Sequence, residues 1–132
     1  MKYQGKEDDF QITCMNYLRK YYPLLLAIHV PNEGISSRNK NSIAYGAKRK
    51  AKGVVPGVPD ILIFDGINVQ SEKYFDWFNF KGLAIELKVD GGKVSASQEK
   101  FMDRLTDCGW ACEICWSVDE FIKIIEKYYG EN

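Results

Sequence analysis

Lys81-Gly-Leu-Ala-Ile-Glu-Leu-Lys88 is the stretch on which the fold turns, because it carries charge into a segment patterned for burial. Leu83, Ile85 and Leu87 alternate with Gly82, Ala84, Glu86 and Lys88, the period of two that marks a β-strand. One face is apolar. The other is small until it ends in a carboxylate and an ammonium, and its two small residues leave room for something to lie across the strand. Glu86 and Lys88 point the same way, roughly 7 Å apart along the strand by its rise per residue. A carboxylate can hold a hard cation, and a neighbouring lysine can orient a water or steady an anionic oxygen. Alone, the Glu-x-Lys pattern reads equally as a surface ion pair on a half-exposed strand, which contributes little. It needs a second carboxylate.

Such a carboxylate stands upstream. Gly53-Val-Val-Pro-Gly-Val-Pro-Asp60 is too dense in Gly and Pro for a helix, and it delivers Asp60 to the mouth of the apolar run Ile61-Leu-Ile-Phe64. That run suits a central strand covered on both faces. Antiparallel pairing of 61–64 with 83–88 would set the beginning of the first beside the end of the second. Asp60 and Glu86 would then converge, with Lys88 next to them. Two carboxylates brought together repel unless one is protonated or a cation bridges them. Oxygen donors favour Mg2+ or Mn2+ over zinc.

At 132 residues the chain is expected to form one domain, 1–132, large enough for its own core. Hydrophobic residues at 45% and charged ones at 27% describe an ordinary globular protein, and the net charge of zero argues against a strongly basic nucleic-acid binder. The distribution says more. Between Gly34 and Pro59 there is no Asp or Glu, yet Arg38, Lys40, Lys48, Arg49, Lys50 and Lys52 all fall there. A local basic stretch can bind phosphates in a neutral protein, although a solvated loop is the plainer alternative. The longest apolar run, Leu24 to Ile28, is far too short for a membrane span, and no signal peptide is visible. An intracellular protein with reduced cysteines is therefore expected. The spacings of Cys108, Cys112 and Cys115 match no common zinc pattern and read as small buried residues. His29, the only histidine, sits in an apolar run and reads as structural.

The remaining elements follow from periodicity and caps. Glu7 to Tyr22 reads as a first helix, with Phe10, Cys14, Tyr17, Leu18 and Tyr21 at helical spacing and Pro23 ending it. Glu7 at its start suits the helix dipole. Leu24 to Val30 reads as a strand, followed by the loop Pro31-Asn32-Glu33-Gly34. Ser42 to Lys52 forms either a short helix or a mobile segment. Residues 65–80 read as a wide hairpin connection whose aromatics, Tyr74, Phe75, Trp77, Phe78 and Phe80, cover an edge or meet another subunit. Ser95-Ala-Ser-Gln98 has the form of a capping box opening a helix to about Cys108, closed at Gly109. Gln98 can serve that cap, a site, or neither. Ala111 to Trp116 reads as a strand, and Ser117-Val-Asp-Glu120 as a second capping box before a last helix to Tyr129. The order gives an α/β domain with a mixed sheet flanked by helices.

Pro59-Asp60 with Glu86-Leu87-Lys88 resembles the motif of the PD-(D/E)xK nuclease superfamily. More narrowly, Glu7, Pro31-Asn32-Glu33-Gly34, Gly57-Val58-Pro59-Asp60, Glu86-Leu87-Lys88 and Gln98 are similar to the virus-type replication-repair nuclease (VRR-NUC) family. The resemblance covers nearly the whole chain and implies a restriction-endonuclease-like core acting as a stand-alone catalytic domain. It implies that Asp60 and Glu86, joined by the Leu87 carbonyl, hold Mg2+ or Mn2+, that Lys88 is catalytic, and that Glu7 and Gln98 support the site. It also implies a DNA substrate, branched or junction-containing, whose backbone the basic stretch, Arg38, Lys40, Lys48, Arg49, Lys50 and Lys52, would grip. Single-domain members resemble Holliday-junction resolvases and tend to act as dimers, which implies a homodimer here, in the cytoplasm of a bacterial or phage-infected cell. Two other readings use the same residues: an idle nucleic-acid-binding module of this fold, and a metal-free domain with a buried ion network.

Overall fold

The computed structural model describes residues 2–31, 42–70, 73 and 77–130. In chain order these form α1 (Lys2–Tyr21), β1 (Ala27–His29), α2 (Ser42–Ala51), β2 (Ile61–Ile63), β3 (Ile67–Gln70), β4 (Trp77–Phe80), β5 (Leu83–Leu87), α3 (Ala96–Asp107), β6 (Ala111–Cys115) and α4 (Val118–Tyr129). Four strands make a mixed sheet in the order β1-β2-β5-β6, and β3 with β4 makes a separate two-stranded sheet. The β1–β2 and β2–β5 pairs are antiparallel, while β5 and β6 run parallel. Parallel neighbours need a crossover, and α3 supplies it.

The period of two decides which face is core. Register sets Ile61 opposite Ile85 and Ile63 opposite Leu83, with Leu83 opposite Ala111 on the other side. These side chains share one face and are buried against Cys14, Met15 and Leu18 of α1 and Phe121 and Ile125 of α4. On the reverse face α3 packs over β6, where the Cys112 thiol meets the Met102 carbonyl at 3.6 Å. What lies against Gly82, just before β5, is the protein's own Trp110 indole. A Cβ on Gly82 would stand 2.6 Å from the Trp110 ring and 2.5 Å from the Ile63 carbonyl, so only glycine fits.

Several expectations are corrected. Helix α1 begins at Lys2, so Glu7 lies in its second turn and is no cap. The strand of 24–30 shrinks to Ala27–His29, and Phe64 is exposed beyond β2, so the run 61–64 is not covered on both faces. The stretch 65–80 does join the antiparallel β2 and β5, and it also holds two strands of its own, which were not expected. Of its aromatics, Phe80 stands edge-on to Tyr128 and joins the core, whereas Trp77 and Phe78 are 58% and 46% exposed. Tyr74 and Phe75 lie outside the described residues, as do Asn32 to Gly34. Cys14 and Cys115 are buried and Cys112 partly so, but Cys108 at the end of α3 is exposed. The second capping box is half made: Ser117 accepts from the Glu120 N–H, while the Glu120 carboxylate takes the Trp116 N–H. The basic stretch resolves in favour of a helix, α2.

One loop holds the site together. Gly57 adopts φ 85°, and a Cβ there would fall 2.3 Å from the Ser97 carbonyl oxygen and 2.7 Å from the Gln98 nitrogen. The loop before Asp60 therefore packs backbone-to-backbone on the first turn of α3. Gly53 has φ 95° but faces open space. Gly53→Ala should cost about 1 kcal/mol for the left-handed backbone alone, and Gly57→Ala roughly 2–4 kcal/mol because a backbone clash is added. Denaturant unfolding of the two variants checks this; equal losses would show that the loop does not bear on α3.

Candidate active site

Because Ile61 pairs with Ile85, the residue before the first and the residue after the second are brought together at one end of the sheet. Asp60 and Glu86 are those residues. Asp60 Oδ2 accepts a hydrogen bond from the Leu87 N–H at 2.8 Å, which ties the upstream loop to β5. Its carbonyl accepts from the Val30 N–H at 2.8 Å and faces His29 Nδ1 at 2.9 Å, which ties it to β1 as well. Asp60 is thus fixed from two sides, by β5 and by the end of β1.

Glu86 is 3% exposed, and it is the buried charged residue among those described. Its Oε2 accepts from Gln98 Nε2 at 2.9 Å and stands 3.4 Å from Lys88 Nζ. Its Oε1 is buried with no hydrogen-bond partner. Gln98 Oε1 accepts from Lys88 Nζ and from the Ser95 N–H, both at 2.8 Å. The Ser95 hydroxyl accepts in return from the Gln98 N–H at 3.1 Å, which completes the capping box. One Gln98 amide therefore caps α3 and also connects the Glu86 carboxylate to Lys88.

Burial pushes the Glu86 carboxyl up to about 7, and the neighbouring Asp60 carboxylate adds to the rise while Lys88 opposes it. Desolvation is the larger cause because a carboxylate is the form that needs water. An oxygen-only donor set with one buried oxygen unsatisfied is the chemistry that a hard divalent cation relieves. Among the described residues no three His, Cys, Asp or Glu side chains form a cluster able to hold an ion. The donors shown are the two carboxylates of Asp60 and Glu86, which fit Mg2+ or Mn2+, ions that keep several waters, better than zinc.

These groups open into a cavity of about 340 Å³ whose lining includes Glu7, Asp60, Glu86, Leu87, Lys88 and Gln98. All the residues singled out around Asp60 and Glu86 thus meet at one place. The cavity also takes in His29, Asp8, Gln11 and Val89, which sequence reasoning left out. His29 is exposed, not a core histidine. No local signal marked it, since only the pairing of His29 with Ile61 brings it beside Asp60. Of the basic residues, Lys48, Arg49 and Lys50 occupy the last turn of α2, where cations also suit the helix dipole. Lys52 follows, and the Val54 N–H bonds the Arg49 carbonyl, so α2 runs directly into the loop that carries Asp60. Arg38 and Lys40 lie outside the described residues. Burial raises the Cys14 and Cys115 thiols to about 12 and 11, leaving them poor ligands and nucleophiles. No helix among the described residues is long and apolar enough to cross a membrane.

An α/β core with a mixed sheet and a carboxylate pair at the end of two antiparallel strands defines a nuclease-like architecture. Residues 5–119 match the VRR-NUC domain, and the chain belongs to that family. A solved structure described as a VRR_NUC domain protein shares the fold, with a TM-score of 0.64 and 24% identity over 93% of this chain and 87% of that one. No curated protein matches the chain. The family is in general one of divalent-metal-dependent nucleases, which supports a nuclease-like role for this member.

The raised Glu86 carboxyl makes stability depend on pH. Its folded value, about 7, lies above its ordinary value of 4.5, so between these limits the folded state binds more protons than the unfolded one. Metal-free protein should therefore lose stability as pH rises from 4.5 to 7, by about 3 kcal/mol in all, and stay at the lower level above that. Glu86→Gln should remove most of this slope and be the more stable of the two at pH 8. Denaturant unfolding in EDTA across the range provides the check, and parallel curves for the two proteins would refute it.

Proposed function

We propose that residues 1–132 form one nuclease domain that hydrolyses DNA phosphodiester bonds endonucleolytically with Mg2+ or Mn2+. The observation that carries this reading is the buried Glu86 carboxylate, which has an unpartnered oxygen and stands beside Asp60 at a cavity. A buried ion network kept for structure alone would close its hydrogen bonds, because each unsatisfied buried group costs about 1–3 kcal/mol.

Asp60, Glu86 and the Leu87 carbonyl are the groups that would hold the ion. When bound, it would polarise a phosphoryl oxygen and make water a stronger nucleophile. Lys88 does the positioning from the protein side. Two of its three N–H donors are directed to Gln98 and Glu86, and the third is left for the phosphate or the attacking water. The oxygen of water forms a bond to phosphorus and gives up a proton while the bond to one deoxyribose oxygen breaks, and that oxygen leaves with the electron pair and takes up a proton. Glu7 contributes a third carboxylate at the cavity wall, suited to holding water there or recruiting a second cation. Lys48, Arg49, Lys50 and Lys52, together with Arg38 and Lys40, grip the backbone, which makes affinity salt-sensitive and largely independent of sequence.

A branched substrate, such as a Holliday junction met in repair, presents two equivalent strands, and paired cuts need two sites related by a two-fold axis. A homodimer supplies them. The exposed Trp77 and Phe78 belong to the residue class enriched at interface cores.

With Mg2+, the wild type should cut branched DNA and stop on chelation. Asp60→Ala and Glu86→Ala should lower the rate by at least about 100-fold while DNA still binds. Near-normal cutting by either variant would dismiss the assignment, and a wild type that binds DNA but never cuts would favour an idle module of the same fold.

Solution mass tests the assembly separately. The wild type should run as a dimer at micromolar concentration, and the double change Trp77→Ser with Phe78→Ser should run as a monomer. A monomeric wild type that nevertheless makes paired cuts would defeat the dimer.

A further inference from the structure

The cavity at Asp60 and Glu86 continues past Lys88. A second depression of about 440 Å³ adjoins it and shares Phe10 and Val89 with it. Its lining includes Trp116, an indole left 45% exposed. The sheet puts the indole there. Leu87 pairs with Cys115 and the Lys88 N–H donates to the Cys115 carbonyl at 2.8 Å. The residue after Cys115 is therefore level with Lys88, at the end of the sheet where Glu86 lies. The Trp116 backbone is pinned, since its N–H donates to Glu120 Oε2 at 2.9 Å. Val118 adds apolar surface.

The charges around this depression select its occupant. Lys6 is set against Asp9 and Asp90, so the depression has no net attraction for a chain of phosphates. The densest run of cations, Lys48, Arg49 and Lys50, lies elsewhere, on α2. A flat, neutral, polarisable group suits an exposed indole flanked by valines. A nucleobase is such a group, and stacking on an aromatic side chain works for every base because each has a π face.

We propose that this depression is a nucleobase subsite, in which an unpaired base next to the phosphate held at Asp60 and Glu86 stacks on Trp116. The inference rests on the nuclease reading and narrows its substrate class to DNA that is unpaired beside the reacting phosphate. A base inside a duplex has both faces taken by its neighbours, so only a flap, a bulge, a branch point or a single strand can offer one.

The test is a binding measurement in EDTA, where hydrolysis does not intervene. A 2-aminopurine is placed at successive positions through the unpaired region of a branched DNA and through a plain duplex. Wild type should quench it strongly at one or two unpaired positions and leave the duplex probe unchanged. Trp116→Ala should abolish that quench and weaken binding to unpaired DNA by about 5- to 150-fold, the range that loss of one stacked base produces. Affinity for plain duplex should stay within about twofold, because phosphate contacts supply it. Trp116→Phe, which still stacks but is a poor quencher, should restore most of the affinity for unpaired DNA, and Tyr21→Ala, an exposed ring on the far end of α1, should behave as wild type. Circular dichroism and denaturant unfolding show that each variant is folded. Quenching that survives Trp116→Ala, an equal loss on duplex and unpaired DNA, or no quenching at any position would each overturn the proposal. A protein that quenches through Trp116 yet never cuts with Mg2+ keeps the subsite and loses the hydrolase. One that cuts without Trp116-dependent quenching loses the subsite alone.

Discussion

A carboxylate held almost free of water is the constraint around which this domain is built. Taking an ionised carboxylate out of solvent costs several kcal/mol, and an unpaired one neutralises instead. Glu86 is kept there by the Gln98 amide and the Lys88 ammonium on one oxygen, while the other oxygen has no protein partner. The surroundings follow from that arrangement. Gly57 lacks a Cβ so that the Asp60 loop can lie against α3, and Asp60 anchors itself on the Leu87 N–H. Strand β6 runs parallel to β5, the direction that its crossover helix permits, and α3 brings Gln98 down beside the carboxylate.

Much of this could be read from the chain because local chemistry and global fold agree. The alternation of 83–88, the Gly/Pro density before Asp60 and the Ser95–Gln98 box each describe their own neighbourhood, and each is realised. The convergence of Asp60 with Glu86 needed one further premise, antiparallel pairing, which holds. What escaped was set at long range. His29 comes to the cavity through a strand pairing that no local pattern announces. The hairpin of β3 and β4 did carry a signal, since Ile67 and Val69 alternate with Asn68 and Gln70, but the density of aromatics and turn formers masked it. Glu7 was assigned to a helix start because apolar periodicity becomes clear only from Phe10, whereas α1 begins earlier without an apolar stripe. Arg38, Lys40, Tyr74 and Phe75 lie outside the described residues.

Zero net charge and a nuclease-like role are compatible because the charge is distributed unevenly. Cations gather on α2 and the residues around it, while the carboxylates cluster elsewhere, several of them in the cavity. The polyanion is attracted at one place and the divalent ion at another, and α2 leads straight into the loop that carries Asp60. Local field rather than total charge decides what such a surface binds.

The double employment of Gln98 has a consequence for how the domain breathes. The first turn of a helix is where fraying begins, with the lowest opening free energy of the element. Here that turn is also the clamp on Lys88, so unwinding it releases the ammonium and strips Glu86 Oε2 of its amide donor in the same event. Winding of α3 and assembly of the charged groups are one equilibrium, not two. The exchange rates of the Gln98 and Glu99 amides, which close that turn on Ser95, are thus a direct gauge of how often the charged cluster is intact.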